Sequence, residues 1–308
     1  MIRCLEHLQR QAPHELIVVD NGSTDGSREL LCEQPDLLLL ELDNPGFGVA
    51  NNVAAKRAGG EYLLLLNSDC ELDADAIQTM TEELDRDPRV GIVGPLLRFP
   101  DGRLQRSMGR APTLLTETLQ KTMLHRLINY YTYSPRSYTS ERNADWVTGA
   151  CMMIRRSLYE ELDGFDEQFF MYMEDLDLCD RARAAGFEVR FTPRASAVHQ
   201  LHGSHTDVST RMLLEREWSG RRYFLKHHGK SGMRALRVLS VIEAAARSIV
   251  WVPALLMPKW RSQALYRLRA YPHLAWGDLD GYLHKQPATG TQPSARATHA
   301  DHAGQSPE

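Results

Sequence analysis

The segment Glu61–Asn67, EYLLLLN, places its apolar residues in succession rather than in alternation. A strand of that kind must be covered on both faces, so it demands a layer of helices on each side of a sheet. Gly59 and Gly60 stop a helix just before it, and Asp69 ends it on a carboxylate. The same grammar of apolar strand, polar turn and helix recurs along the chain. LIVV at 16–19 runs into DNGSTDGS and a helix reaching about Glu33, LLLLEL follows at 37–42, and NPGFGVANN feeds the helix that stops at Gly59. A helix from about Asp73 to Arg86 and a strand GIVGPLLRF at 91–99 continue the pattern. The alternation predicts an α/β fold, a mostly parallel Rossmann-like sheet flanked by helices.

Residues 110–143 carry only weak periodicity and read as a loop with helical pieces. Order returns at ADWVTGACMMIRRSLYEEL, a strand leading into a helix, then DGFDEQFF, the helix DLDLCDRARAAG with Gly186 as its C-cap, and the strand FEVRFTP. Residues 211 to about 275 read as helical and the tail from 286 as disordered. The division this implies is a domain over 1–208, a helical appendage over 209–285 and a tail over 286–308.

Of the 308 residues, 43% are hydrophobic and 25% charged, which excludes wholesale disorder and a polytopic membrane protein. A net charge of -4 gives no global attraction to nucleic acid. Five cysteines without a CxxC pair fit neither a disulfide framework nor a zinc ribbon. MIRCLEHLQRQ is a charged amphipathic helix without the apolar core of a signal peptide, so the expected location is cytoplasmic. The C-terminal third is basic: Arg211–Arg269 holds thirteen Lys or Arg against three Glu. SIVWVPALLMP within it is too short to span a bilayer, which leaves peripheral attachment at the inner face of the cell membrane, or a plain packing appendage.

Four groups of residues could carry chemistry. Asp20 ends a strand and can accept hydrogen bonds from a base or ribose, or else it caps the next helix, as Asp25 does. A calcium loop starting at Asn21 fails because Cys32 stands where a bidentate Glu is needed. Asp69 ends the buried strand in Asn67-Ser68-Asp69; it is either a turn residue or one of the few carboxylates a diphosphate-bound cation requires. Glu174, Asp175 and Asp177 crowd the first turn of a helix, where the dipole stabilises anions while mutual repulsion makes them more basic. His199, His202 and His205 recur every three residues, but Gly203 points to a loop, so one ligand fits better than three.

In their order and spacing, VVDNGSTDGS, NPGFGVANN, LLLLNSD, DWVTGACMMIRR, DGFDEQFF, MEDLDLCDRARAAGF and VHQLHGS resemble the family 2 glycosyltransferases of the GT-A fold, in the bacterial rhamnosyltransferase-like branch. The resemblance covers residues 5–205. It implies that Asp20 contacts the nucleotide base, that Asn44, Gly46, Phe47, Asn51 and Asn67 border the donor, and that Trp146, Gly149 and Ala150 line the acceptor pocket. It implies Mg²⁺ or Mn²⁺ held by Asp69 and His199. Asn67 stands in place of the motif's first carboxylate, which lowers the metal affinity expected. Asp175, with Glu174 beside it, matches the catalytic base. The expected partners are a nucleoside diphosphate sugar, with dTDP-rhamnose first, and a glycan or lipid-linked acceptor, without nucleic acid. A sugar-nucleotide-binding protein without turnover is the alternative; an oxidoreductase would need a GxGxxG turn that NGSTDGS does not supply. Family members open with an apolar strand, whereas this chain starts inside the helix that follows it, so the first strand of the sheet is expected to be missing.

Overall fold

The computed structural model describes residues 1–11, 14–34, 37–122, 133–200 and 210–277. The expected layers are present. Helix α1 (Ile2–Leu8) buries Cys4, Leu5 and Leu8, and the first strands are β1 (Ile17–Asp20) and β2 (Leu38–Glu41), separated by α2 (Ser27–Cys32). Then come α3 (Phe47–Ala55), β3 (Tyr62–Leu66), β4 (Cys70–Leu72), α4 (Ala76–Arg86) and β5 (Val90–Arg98). β6 (Leu104–Gln105), β7 (Met108–Gly109), α5 (Leu114–Lys121), a 3-10 turn at Pro135–Thr139 and β8 (Arg142–Ala144) occupy the stretch of weak periodicity. The chain goes on through β9 (Trp146–Val147), β10 (Cys151–Arg155), α6 (Arg156–Glu161), α7 (Glu174–Ala184) and β11 (Glu188–His199). Two long helices follow, α8 (Thr210–Ala254) and α9 (Pro258–Trp276).

The sheet is mixed, with fewer parallel ladders than the alternation predicts. β5 and β11 pair in parallel, as do β1 and β2, whereas β10 runs antiparallel to both β3 and β5, and β4 antiparallel to β11. The reason lies in ADWVTGACMMIRR. It folds as two strands with a turn at Thr148–Ala150, and the second returns against β3 instead of crossing over a helix. Two apolar layers cover the sheet. Ile92, Met152, Ile154 and Phe191 belong to one, Val93, Leu97, Cys151 and Met153 to the other.

The sheet is also divided. The seven-stranded part runs β3-β10-β5-β11-β4, with β6 and β8 attached, while β1 and β2 form a sheet of their own. Among the described residues no ladder joins β1 to β3. A cavity of about 680 Å³ lies there, lined by Leu16–Val19 on one side and Tyr62–Leu66 on the other.

Gly186, at φ +93, follows the last residues of α7 in the left-handed conformation that ends a helix, as its sequence position predicts. His202, His205 and the tail 286–308 lie outside the described residues.

Candidate active site

Register alone brings the first two site residues together. Leu66 at the end of β3 pairs with Cys151, and the next amide, Asn67 N–H, donates to Ala150 O at 2.9 Å. The chain then turns, Cys70 N–H bonding Asn67 O at 3.0 Å, and enters β4, where Cys70 lies opposite His199 at the end of β11. Asp69, on the corner, therefore meets the imidazole: Asp69 Oδ1 and His199 Nε2 are 3.1 Å apart. His199 is buried and its Nδ1 lies 2.9 Å from Gln105 Nε2. Gln105 Oε1 is buried without a partner among the described residues. With the amide turned over, that oxygen would accept from Nδ1–H and leave the Nε2 lone pair for a cation.

One ligand atom each from Asp69, Cys70 and His199 falls within a 4.8 Å cluster. Burial pushes the Cys70 thiol far up, and it donates to Ala150 O at 3.3 Å. That leaves a carboxylate oxygen and an imidazole nitrogen, a donor set suited to a hard divalent ion whose other ligands are phosphate and water. Asn67, Ser68, Asp69 and His199 line the same cavity as Asn21, Phe47 and Asn51.

The loop into α3 is fixed by one tight approach. A Cβ on Gly46, at φ +112, would sit 2.6 Å from Phe170 O, so only glycine fits. Phe47 N–H then bonds that same carbonyl at 3.0 Å, and the Phe47 ring packs edge-on against Phe165 at 5.6 Å. Asn44 adopts a left-handed conformation and accepts from Asn21 Nδ2 at 3.2 Å. Asn51 Nδ2 donates to Phe47 O at 2.9 Å. Asp20 is buried and accepts Ser23 N–H at 3.2 Å, so its carboxylate closes its own turn. It is not among the cavity's lining residues, while its neighbour Asn21 is. Exposed Asp25 accepts Ser27 N–H, the first amide of α2, at 3.1 Å, but the N-cap position is Gly26 and carries no side-chain cap, so Asp25 closes the turn ahead of the helix and is not its N-cap.

Asp175 is held from two sides. Gly149 N–H donates to Oδ2 at 2.9 Å and Leu176 N–H to Oδ1 at 2.9 Å. Burial raises its pKa against those two bonds, which lower it. Glu174 is more deeply enclosed; burial and then repulsion from Asp175 push it well above the ordinary carboxylate range, and its Oε2 has no partner among the described residues. A Cβ on Gly149 would lie 3.3 Å from both Asp175 Cβ and the Phe47 ring, so the loop into α3, the turn and the acid converge there. Trp146 is pinned by its indole N–H on Arg110 O at 2.9 Å.

The two halves share one turn. Ala150 O takes the Asn67 amide and the Cys70 thiol of the Asp69 corner, while the preceding residue, Gly149, binds Asp175. Gln105 and Cys70 escaped notice in the sequence, since neither has a motif around it; the strand ending at Asp69 was the only cue to Cys70.

The sequence profile of glycosyl transferase family 2 matches residues 1–163. Over 221 residues the chain is 31% identical to the N-acetylglucosaminyl-diphospho-decaprenol L-rhamnosyltransferase of Mycobacterium tuberculosis (strain ATCC 25618 / H37Rv), covering 65% of this chain and 70% of that one. It is 28% identical over 208 residues to rhamnosyltransferase WbbL of Escherichia coli (strain K12), covering 65% and 78%. The mannosyltransferase PcManGT from Pyrobaculum calidifontis, solved in complex with GDP-Man and Mn²⁺, shares the fold at a TM-score of 0.51 and 18% identity, over 89% of this chain and 83% of that one. With a profile matching more than half its length and the GT-A architecture around the Asp69 corner, the chain belongs to glycosyl transferase family 2.

Proposed function

We propose that this glycosyltransferase moves rhamnose from dTDP-rhamnose, with inversion, to a hydroxyl of a lipid-linked or polysaccharide acceptor in cell-surface polysaccharide synthesis. The observation that carries the reading is the shared turn at Gly149 and Ala150, which ties the Asp69–His199 corner to Asp175 through consecutive residues. The relatives named for rhamnosyl transfer support the choice of sugar, and the first of them, named for a decaprenol-linked substrate, supports a lipid-linked acceptor.

Asp69 and His199 would hold Mg²⁺ or Mn²⁺, and PcManGT, solved with Mn²⁺ and GDP-Man, supports a divalent ion. Such an ion neutralises charge on a departing diphosphate. Asn21, Asn51 and Asn67 offer amides along the donor cavity. Asp175, fixed by two backbone amides, accepts the proton of the acceptor hydroxyl as its oxygen attacks the anomeric carbon. One base suffices for a single displacement, whereas a hydrolase needs two carboxylates. Burial keeps Asp175 basic, and repulsion from Asp175 adds to the burial that drives Glu174 toward its protonated form. The working division remains 1–208 for the catalytic domain, 209–285 for the helical appendage and 286–308 for the tail.

The test is transfer of labelled sugar from a panel of nucleotide sugars, with Mn²⁺ and with EDTA. We expect turnover with dTDP-rhamnose that EDTA removes and Mn²⁺ restores. Binding of nucleotide sugars without transfer to any acceptor would leave the non-catalytic alternative.

A further inference from the structure

The second half of α8, beyond the kink at Gly229, has two unlike faces. Leu236, Ser240 and Ala244 are buried against the protein. On the opposite side Val238, Ile242, Ala245, Ile249 and Val252 follow one another at steps of three or four residues, so they form one stripe. The stripe is exposed, with Ile249 at 77%, and it continues into the turn after the helix, where Leu256 is at 87%. Trp260, at the start of α9, is exposed beside it. Apolar residues on the outward face of a helix contribute nothing to its packing, and a continuous row of them marks a contact surface.

Charge decides what that contact is. Between Glu243 and Asp278 the sequence has no acid, while Arg247, Lys259, Arg261, Arg267 and Arg269 supply five positive charges. Arg247 is paired with Glu243 at 2.8 Å and Arg267 stacks over Trp251 at 4.7 Å, both within the hairpin. Lys259, Arg261 and Arg269 are exposed. A second copy docking here would bring like charges together with no acid to answer them. An anionic surface with an apolar interior answers both features at once. Among the described residues no helix is long and apolar enough to cross a membrane, so the contact lies in the plane of the interface.

We infer that the α8–α9 hairpin docks the protein on an anionic lipid bilayer, the α8 stripe and Trp260 entering the headgroup region while Lys259, Arg261 and Arg269 meet lipid phosphates. The inference stands on this surface and does not need the proposed sugar transfer. It is tested with the full 308-residue chain and acceptor-free vesicles of phosphatidylglycerol mixed with phosphatidylcholine, against phosphatidylcholine alone. We expect sedimentation with the anionic vesicles, weakened by salt. Lys259→Glu and Arg261→Glu should each lower the partition coefficient by about fivefold or more. Ile249→Ser with Leu256→Ser should lower it without changing the salt dependence, the variants keeping the wild-type melting temperature. Failure to sediment at low salt, variants that bind as wild type does, or a dimer by light scattering that Ile249→Ser with Leu256→Ser breaks would overturn the inference.

Discussion

At the scale of single residues, Glu174 and Asp175 are neighbours with opposite demands. Asp175 has two amide donors and the proposed role of base; Glu174 has an oxygen without a partner among the described residues and a carboxyl driven toward its protonated form. Asp175→Asn keeps the shape and loses the basicity, so kcat should fall on the order of 10² to 10⁴ while nucleoside diphosphate binding by calorimetry stays unchanged. Wild-type turnover in that variant would remove Asp175 from the mechanism. Because burial raises the Asp175 pKa, the proposed base is lost as pH falls through a value above that of an exposed aspartate, so the acid limb of kcat/KM should lie correspondingly higher. Glu174→Gln removes a buried carboxyl whose ionised form the fold disfavours. For an acid whose folded pKa is raised, ionisation favours the unfolded chain, and the cost is felt at pH values above its ordinary pKa. The variant should therefore melt higher than wild type at neutral pH, with the gain vanishing in acid; an equal or lower melting temperature at neutral pH would show that Glu174 has a partner in solution. The crowding of these acids was legible in MEDLDLCD, but which one binds Gly149 was not, because that bond joins residues 26 apart.

At the scale of elements, α7 and the first half of α8 are locked by Asp177. The sequence offers this acid as one more first-turn residue, and its real partners come from α8, which periodicity marks only as a helical appendage. Asp177 is fully buried; Oδ1 meets Lys226 Nζ at 2.7 Å and His227 Nε2 at 2.8 Å, and Oδ2 meets Arg181 Nε at 2.8 Å. Tyr223 bonds Asp180, and Ser219 donates to Met171 O at 2.7 Å. Burial alone would raise the Asp177 pKa, but the His227 bond and the Arg181 and Lys226 charges bring it down to about 2. The sign follows: a depressed carboxylate contributes stability above its unfolded pKa and loses it as pH falls toward the folded value. From the ordinary 3.8 to about 2, wild type should lose on the order of 2 kcal/mol at this site. Asp177→Ala should cost about 3–5 kcal/mol at neutral pH and abolish that part of the acid dependence. Urea melts across that pH range check both, and an unchanged pH slope would show that the clamp is not what titrates. Strand and helix order was readable from local pattern, as β3 and the Gly186 stop show. The return of β10 against β3 and this clamp were not, since both depend on tertiary partners that no local period encodes.

At the scale of the whole molecule, the divided sheet stands out. Among the described residues β1 is laddered only to β2 and β3 only to β10, so their facing edges carry backbone groups without strand partners along the walls of the cavity between them. Each buried group left unsatisfied costs about 1–3 kcal/mol, and water in an apolar slot answers them poorly. Met1 lines this cavity and also a smaller one with Ser68 and Asp69 at the carboxyl end of β3. A segment joined ahead of Met1 can therefore run along the slot between the two edges, covering Leu16–Val19 on one side and Tyr62–Leu66 on the other. An extended apolar segment about strand length, fused to the amino terminus, should complete both ladders and supply a wall beside Asn21 and Asn51. Recovering several hydrogen bonds at about 1 kcal/mol each should raise the melting temperature by roughly 5 °C or more in a domain of this size. Nucleoside diphosphate should bind more tightly as well, because the cavity proposed for the donor would gain a fixed side. A scrambled polar segment of the same length, which cannot bury itself in the slot, serves as the control. Equal melting temperature and affinity for the apolar and polar fusions would show that the two sheets are held by α1 and α3 alone, and that the gap between them belongs to the working form of the enzyme.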